Sequence, residues 1–333
     1  MVDGKLSNKL SWASFLGAVC VVSIHTPYKD GCDVGWSWWL YQMIANGFSR
    51  WAVPFFFASA GYHVARHSGE DGWYSTALRK RVRSLLIPYF AWTIVGAVLF
   101  CTLRAAANLM AARPPFAGFP SGWGVLKFLG VHPYDNFYVV LWFLRTLMCL
   151  IMLSPVFVVT VRSLRWWLPI SFLCLSYVGI SGMPYNLAPV WMMYFTAGMA
   201  ARFAPIHIKS KLFGLFIPVG LIWIAYHKSC LLDSSMTSFD MTPVPAIILI
   251  VVGVWALMPS VEIPSTLRRL SFPIYVIHLL VITFARYLLL DCHGMACLVQ
   301  YLITWFLIVV ASAVCAVTIW RSQRLSLIAF GGR

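Results

Sequence analysis

The chain carries, at positions 49–57, the stretch Ser49-Arg50-Trp51-Ala52-Val53-Pro54-Phe55-Phe56-Phe57. It lies inside an apolar segment, residues 38–64, that is long enough to cross a bilayer. A charged side chain at such a depth is costly, so it tends to line a substrate path or a reaction centre. The stretch therefore predicts a membrane-embedded helix with a functional polar position.

The composition extends this prediction to the whole chain. Of the 333 residues, 61% are hydrophobic and 11% are charged, and the mean hydropathy is +0.80. An ordinary soluble domain is about 25% charged, and a soluble fold could not cover this much apolar surface. We predict an all-α polytopic membrane protein, one domain over residues 1–333, with about ten transmembrane helices of about 17 to 25 residues. The segments are 10–28, 38–64, 84–103, 137–161, 166–182, 187–203, 212–227, 243–259, 272–291 and 298–320.

The basic residues indicate how these segments are oriented, because cytoplasmic loops of membrane proteins collect Lys and Arg. With the N-terminus inside, ten helices return the C-terminus inside, and 17 of the 25 basic residues fall on the inner side against five on the outer side. The net charge of +15 is thus spread over separate inner loops without a continuous basic face, which excludes nucleic-acid binding. We predict a multi-pass protein of the cell inner (plasma) membrane with cytoplasmic N- and C-termini.

The nine cysteines do not form a metal-ligand pattern. None stands in a C-x-x-C pair, and no His-Glu spacing points to a metal, so we predict no metal and no permanently bound cofactor. Four cysteines fall on the outer side, where a disulfide could form. They are Cys32, Cys230, Cys292 and Cys297.

Five short motifs follow one another along the chain. They are Val19 to Thr26 with His25, Ser49 to Tyr62 with Arg50, the basic run Arg79-Lys80-Arg81-Val82-Arg83 before Leu86-Ile87-Pro88-Tyr89, Leu141-Trp142-Phe143-Leu144, and Ser271 to His278. In this order, on ten apolar segments, they resemble the acyltransferase 3 family of membrane O-acyltransferases over residues 10–290. In length, and in lacking an extra soluble domain, the chain is most similar to the enterobacterial common antigen O-acetyltransferase type.

The resemblance implies an enzyme that uses a soluble co-substrate. Family members take an acyl group, commonly acetyl from cytosolic acetyl-CoA, and pass it to a hydroxyl on a cell-surface or lipid-linked glycan. The implied partners are therefore acyl-CoA, a glycan or lipid-linked sugar acceptor, and the lipid bilayer. The sequence does not indicate the oligomeric state.

Two residues are candidates for the chemistry itself. Acyl transfer to a sugar hydroxyl needs a base for the proton and a donor or cation for the oxyanion. His25 is the candidate base, because imidazole titrates near pH 6.5 and working conditions lie close to that value. Arg50, about 18 Å below the outer boundary of its helix, is the candidate for oxyanion or ligand contact. Pro54 removes a hydrogen bond to the Arg50 carbonyl, so a local kink could open a polar pocket there. The alternative is that carbonyls and water satisfy Arg50.

Other residues are candidates for substrate binding. Tyr275 and His278, three residues apart, share one face of the ninth segment. No acidic residue falls inside a predicted helix, so an anionic ligand such as a phosphate of CoA would supply the counter-charge of the intramembrane arginines. Carbonyls and water are the alternative for these arginines, and the basic run also suits anionic lipid. The candidates are Ser14, Arg81, Arg83, Trp142, Arg145, Tyr275 and His278.

The chain departs from the family pattern at the first helix. The family usually carries an arginine eleven residues before the histidine, where this chain has Ser14, and the preceding acid is replaced by Ser11. If that arginine holds the donor, binding is weakened here unless another cation replaces it; Lys9 is the nearest, in a different register. Close relatives also often carry histidine where Val140 stands. A membrane transporter or flippase-like carrier, and a non-catalytic family member, are therefore alternative functions.

The charge bias makes a topology prediction. On a background without the native outer cysteines, an impermeant maleimide applied to intact cells should modify Ser121→Cys and spare Glu70→Cys. The reason is that residues 104–135 face outward and residues 67–83 face the cytoplasm if basic loops are inner loops. Labelling of Glu70→Cys alone would invert every side assignment made from the charge bias.

Overall fold

Helices make up all regular structure in the described part of the chain. The computed structural model describes residues 4–28, 35–109, 139–178, 187–206, 208, 210–230, 244–286, 289–290 and 293–332. We number the α-helices as α1 Gly4–His25, α2 Trp36–Gln42, α3 Ala52–His67, α4 Trp73–Arg81, α5 Ile87–Leu109, α6 Trp142–Met152, α7 Ser154–Leu164, α8 Trp167–Val178, α9 Pro189–Phe203, α10 Phe216–Cys230, α11 Val244–Leu257, α12 Ser265–Ala285, α13 Met295–Trp320 and α14 Gln323–Phe330.

These helices confirm the all-α prediction, since each of the ten predicted segments overlaps at least one of them. Within the described residues, four helical runs are long and apolar enough to cross a membrane. They are Gly4–His25, Trp73–Leu99, Ser265–Ala285 and Met295–Trp320, and a fifth crossing results if α6 and α7 are one bent span. The protein is therefore a multi-pass membrane protein, and the ten spans and cytoplasmic termini stay predictions.

The segment predicted as one helix at 137–161 is instead two helices that meet at an angle of 67°. Pro155, in the first turn of α7, has no N–H to donate to the carbonyl four residues earlier, that of Ile151. The Ser154 hydroxyl donates to that carbonyl instead, at 2.6 Å. The bend thus follows from one proline, and the neighbouring serine satisfies the carbonyl that it leaves behind.

A second irregularity lies where the sequence predicted a kink near Pro54. A π-helical turn, Met43–Gly47, and a 3-10 turn, Phe48–Trp51, separate α2 from α3. Arg50 belongs to the 3-10 turn, directly before the helix that contains Pro54. A proline early in a helix is tolerated because the first N–H groups of a helix have no helical partner. A separate helix, α3, therefore begins here, where the sequence predicted a kink within one helix.

The helices α3 and α9 pack very closely, and glycine makes this contact possible. A Cβ added to Gly61 would lie 1.9 Å from the Phe195 carbonyl oxygen, and one added to Gly198 would lie 1.8 Å from that of Ala58. Small residues let helix backbones approach in this way in membrane proteins. The pair α3 and α9 is therefore held by backbone contact that a larger residue would prevent.

The outer cysteines and the outer loop are described only in part. Cys297, in the first turn of α13, is disulfide-bonded. Disulfides form in oxidising compartments, which agrees with the predicted outer position of this helix end. Cys32 and Cys292, and residues 110–138 with Ser121, lie outside the described residues.

The glycine contact gives a stability prediction. Gly198→Ala should destabilise the protein, because the gain of about 1 kcal/mol in helix propensity is outweighed by a clash with backbone that cannot rotate away. Gly69→Ala is the matched control, since nothing lies within 4 Å of its added Cβ. The measurement is thermal unfolding of each variant in detergent. A Gly198→Ala melting temperature at or above that of the control would show that the two helices separate without cost.

Candidate functional site

Two histidines that are remote in the sequence meet at the centre of the fold. His25 is the last residue of α1, and His278 lies in α12, which packs along α1. Their ring centroids are 5.3 Å apart and the ring planes are inclined by 34°. The structure thus brings together the candidate base and one of the candidate substrate-binding residues.

The hydrogen bonds of His278 define its tautomer. Its side chain is fully buried, and its Nδ1 lies 3.2 Å from the carbonyl oxygen of Ile274. Because a carbonyl only accepts, Nδ1 must carry the proton of the neutral ring. Nε2 then presents a lone pair, and it has no hydrogen-bond partner among the described residues. The ring is therefore set to accept a proton or a donor at Nε2.

A cavity of about 480 Å³, which we call the inner cavity, is lined by Tyr275, whose ring neighbours that of His278. Three helices line it with the same pattern, residues i, i+3, i+4 and i+7, which is one face of an α-helix. The faces are Ser7, Leu10, Ser11 and Ser14 of α1; Phe56, Ser59, Ala60 and His63 of α3; and Arg268, Ser271, Phe272 and Tyr275 of α12. Arg81 and Arg269 also line the cavity, and its described lining contains no acidic residue.

Tyr275 lies at the end of the inner cavity that is nearest the histidines. Its hydroxyl donates to the carbonyl of Val140, and its ring lies against those of Phe143 and His278, at centroid distances of 5.7 and 6.2 Å. The polar contact at position 140 is thus made by the backbone carbonyl, and it does not depend on which side chain stands there. Tyr275 therefore connects the lining of the inner cavity to the histidine pair.

A second cavity, of about 640 Å³, is called the outer cavity. His25 and Arg286 line it together with Tyr28 and Tyr41. The two tyrosine rings stack at 4.4 Å, and Tyr41 contacts Tyr301 edge-on at 4.9 Å. Tyr275 thus lines the inner cavity and His25 lines the outer one, and the ring of His278 neighbours both, at centroid distances of 6.2 and 5.3 Å.

Arg50 is held close to this row by its 3-10 turn. The buried hydroxyls of Ser23 and Ser49 lie 2.6 Å apart and connect the turn to α1. The Arg50 guanidinium donates to the Asn46 side-chain oxygen at 2.7 Å, is exposed, and lies within electrostatic range of His25, as does Arg286. The two arginines thus place positive charge near the outer histidine, where an oxyanion or an anionic group would be stabilised.

The remaining predicted residues divide between the inner cavity and other places. Ser14, Arg81 and Tyr275 line the inner cavity. Arg83, Trp142 and Arg145 line neither cavity. Arg83 is exposed in the π-helical turn Val82–Leu86, the Trp142 ring packs on Trp191 at 5.1 Å, and Arg145 is buried in the first turn of α6.

The sequence analysis assigned no functional role to several residues that line the inner cavity. Arg268 and Arg269 counted only as inner charges, although the i, i+3 and i+7 spacing of Arg268, Ser271 and Tyr275 was a usable signal. Lys9, the proposed substitute for the missing arginine, points elsewhere. Its Nζ lies 3.4 Å from the Trp255 carbonyl oxygen and 5.5 Å from the centre of that indole ring.

One protein family matches nearly the whole chain. The family model described as an acyltransferase domain, that of the acyltransferase 3 family, matches residues 8–321. The chain belongs to this family. It is 24% identical over 216 residues to the succinoglycan biosynthesis protein ExoH of Rhizobium meliloti (strain 1021), in an alignment that covers 62% of this chain and 57% of that relative. No solved structure matches the chain.

Among the described residues no group of three His, Cys, Asp or Glu side chains could hold a metal ion. The histidine pair and the nearby arginines are titratable and charged groups beside the two cavities.

The histidine pair gives a catalytic prediction. His25→Ala should lower acyl transfer by about 100-fold or more, the usual contribution of a general base, because proton transfer at the outer cavity is lost. Membrane insertion should be unchanged, since the residue ends a helix that is otherwise apolar. His293→Ala, at an exposed position that lines neither cavity, is the control. The measurement is turnover of purified protein, and wild-type turnover in His25→Ala would remove this residue from the mechanism.

Proposed function

We propose that the chain is a membrane-embedded O-acyltransferase that moves an acyl group from cytosolic acyl-CoA to a hydroxyl of a cell-surface or lipid-linked glycan. The observation that carries this proposal is the row of rings Tyr275, His278 and His25, whose first member lines one cavity and whose last member lines another. A membrane enzyme whose donor and acceptor come from different sides needs one site on each side and a catalytic group between them.

The inner cavity has the character of a donor site. Its arginines suit the phosphates of CoA, and its serine-lined and aromatic walls suit the thin arm that carries the thioester. With the N-terminus inside, α1 and α12 both run outward, so the arginines of α12 lie toward the cytosol and Tyr275 lies deeper. The positive-inside bias and the disulfide at Cys297 support this orientation.

The outer cavity has the character of an acceptor site. Stacked tyrosine rings such as Tyr28 and Tyr41 present flat apolar faces with polar hydroxyls, which suit the ring of a sugar. The similarity to a succinoglycan biosynthesis protein supports a polysaccharide or its lipid-linked precursor as the acceptor. A cell inner membrane is the place where such acceptors and cytosolic acyl-CoA meet.

The chemistry assigns one role to each group. An imidazole of the pair, His25 or His278, takes the proton of the acceptor hydroxyl while its oxygen attacks the thioester carbonyl carbon. Arg50 stabilises the negative charge on the carbonyl oxygen. The carbon–sulfur bond then breaks, the ester remains on the glycan, and the departing thiolate takes the proton from the imidazole. We propose acetyl as the acyl group, following the usage of the family.

The broken helix at Met43–Trp51 also favours a second function, that of a carrier, because transporters form binding sites at interrupted helices. A carrier would move its substrate without consuming an acyl donor. It would therefore show uptake in proteoliposomes, and that uptake would survive replacement of His25.

Donor binding provides the test. Acetyl-CoA at 100 times its dissociation constant should stabilise the purified protein by about 2.7 kcal/mol, because it binds the folded state alone. His25→Ala should keep this stabilisation and lose transfer, since His25 lines only the outer cavity. Thermal unfolding with and without acetyl-CoA measures the first effect, and release of free CoA in the presence of an acceptor glycan measures the second. Absence of stabilisation in the wild-type protein would contradict the proposed function.

A further inference from the structure

We propose that Arg268 and Arg269 of α12, together with Arg81, bind the phosphates of the acyl donor and supply the positive charge that position 14 lacks. This inference rests on the proposed function, because it assigns residues to the donor in the inner cavity. Nothing in the family match or in the similar protein assigns a role to these two arginines.

The first step is the position of Ser14. It lines the inner cavity, and its own hydroxyl donates to the Leu10 carbonyl at 2.8 Å, within α1. Its carbonyl accepts a hydrogen bond of 2.7 Å from the Ser271 hydroxyl of α12. Position 14 is therefore pinned against α12, and a side chain from α12 can occupy the space that a long side chain at position 14 would use.

The second step is the helical spacing on α12. Arg268 lies one turn before Ser271 and on the same face, as i and i+3. Seven residues separate Arg268 from Tyr275, which is about 10 Å along the helix axis. The guanidinium thus lies at the end of the cavity remote from the histidines, and a phosphate there leaves the acyl group room to reach Tyr275.

The third step is the charge balance. Arg81, Arg268 and Arg269 all line the cavity, whereas its described lining has no carboxylate. Within the described residues, neither Arg81 nor Arg268 makes a hydrogen bond or an ion pair with the protein. Arg269 lies over the Trp320 ring at 4.6 Å, a contact that orients the guanidinium and leaves its N–H groups available. Three like charges around one cavity are repulsive until an anion enters, and guanidinium groups bind phosphate bidentately.

The alternative replacement for the missing charge does not fit. Lys9 contacts Trp255 of α11 through both its carbonyl and its ring, and it does not line the inner cavity. The cationic side chains of the cavity come from α12 and α4, which are remote in sequence from position 14. The loss of a charge on α1 is therefore offset by charges from other helices.

The test compares three probes on purified full-length protein: CoA, CoA without its 3′-phosphate, and pantetheine, which has the arm without the nucleotide phosphates. The wild-type protein should bind CoA more tightly than pantetheine. Arg268→Gln should weaken CoA binding by about tenfold or more, the value of one charge-assisted contact, and leave pantetheine binding unchanged. Unchanged pantetheine binding also shows that the variant is folded with an intact cavity. The 3′-dephosphorylated probe reports whether the contact is to that phosphate.

Three further variants make the test specific. Arg324→Gln removes the same charge from an exposed position on α14 that does not line the cavity, and it should bind CoA as the wild type does. Ser14→Arg added to Arg268→Gln should restore most of the lost CoA affinity, because position 14 faces the same cavity. Arg269→Lys, which keeps the charge and loses the planar fork, should be weaker than wild type for CoA alone and keeps the inference testable if Arg268→Gln does not fold.

The possible failures are distinguishable. If the wild-type protein binds neither CoA nor acetyl-CoA, the donor assignment of the proposed function is wrong, and this inference is wrong with it. If the wild-type protein binds CoA and the Arg268 and Arg269 variants bind it equally well, only this inference is overturned. An equal loss in Arg324→Gln would also overturn it, because the effect would then be one of overall charge.

Discussion

The contact between α1 and α12 is the interaction on which the rest of the site depends. It includes a hydrogen bond from the Ser271 hydroxyl to the Ser14 carbonyl, and α1 carries small buried residues, among them Ala13 and Ala18. Small residues let two helices approach closely where lipid gives no hydrophobic drive for association. This approach places His25 against His278 and so fixes the row of rings that runs from the lining of one cavity to that of the other.

The second constraint is that polar groups inside a membrane protein must be satisfied within the protein. Many hydroxyls in the helices donate to carbonyls three or four residues earlier, as Ser14, Thr93 and Thr196 do. Several guanidinium groups also line the cavities, those of Arg81, Arg268 and Arg269 the inner one and that of Arg286 the outer one. Both cavities thus present positive charge within the protein.

The sequence predicted where helices occur better than it predicted the bends between them. Apolar runs marked where helices occur, because a run of about 20 apolar residues is a local property of the chain. The bend of 67° between α6 and α7 was missed although Pro155 was visible, because membrane helices tolerate proline when a neighbour such as Ser154 satisfies the freed carbonyl. Whether a proline bends a helix depends on that neighbour and on the packing around it.

Within the site, too, there is a physical reason why some features follow from the sequence and others do not. The sequence alone determined that the chain is helical and membrane-embedded, that it resembles the acyltransferase 3 family, and that His25, Ser14, Arg81 and Tyr275 are candidates, since composition and short motifs carry these facts. The tertiary structure decided which candidates meet. Cavities arise from faces of α1, α3 and α12 that are far apart in the sequence, so a motif in one helix cannot reveal them. The same reason leaves Arg83, Trp142 and Arg145 outside both cavities and brings Arg268 and Arg269 in.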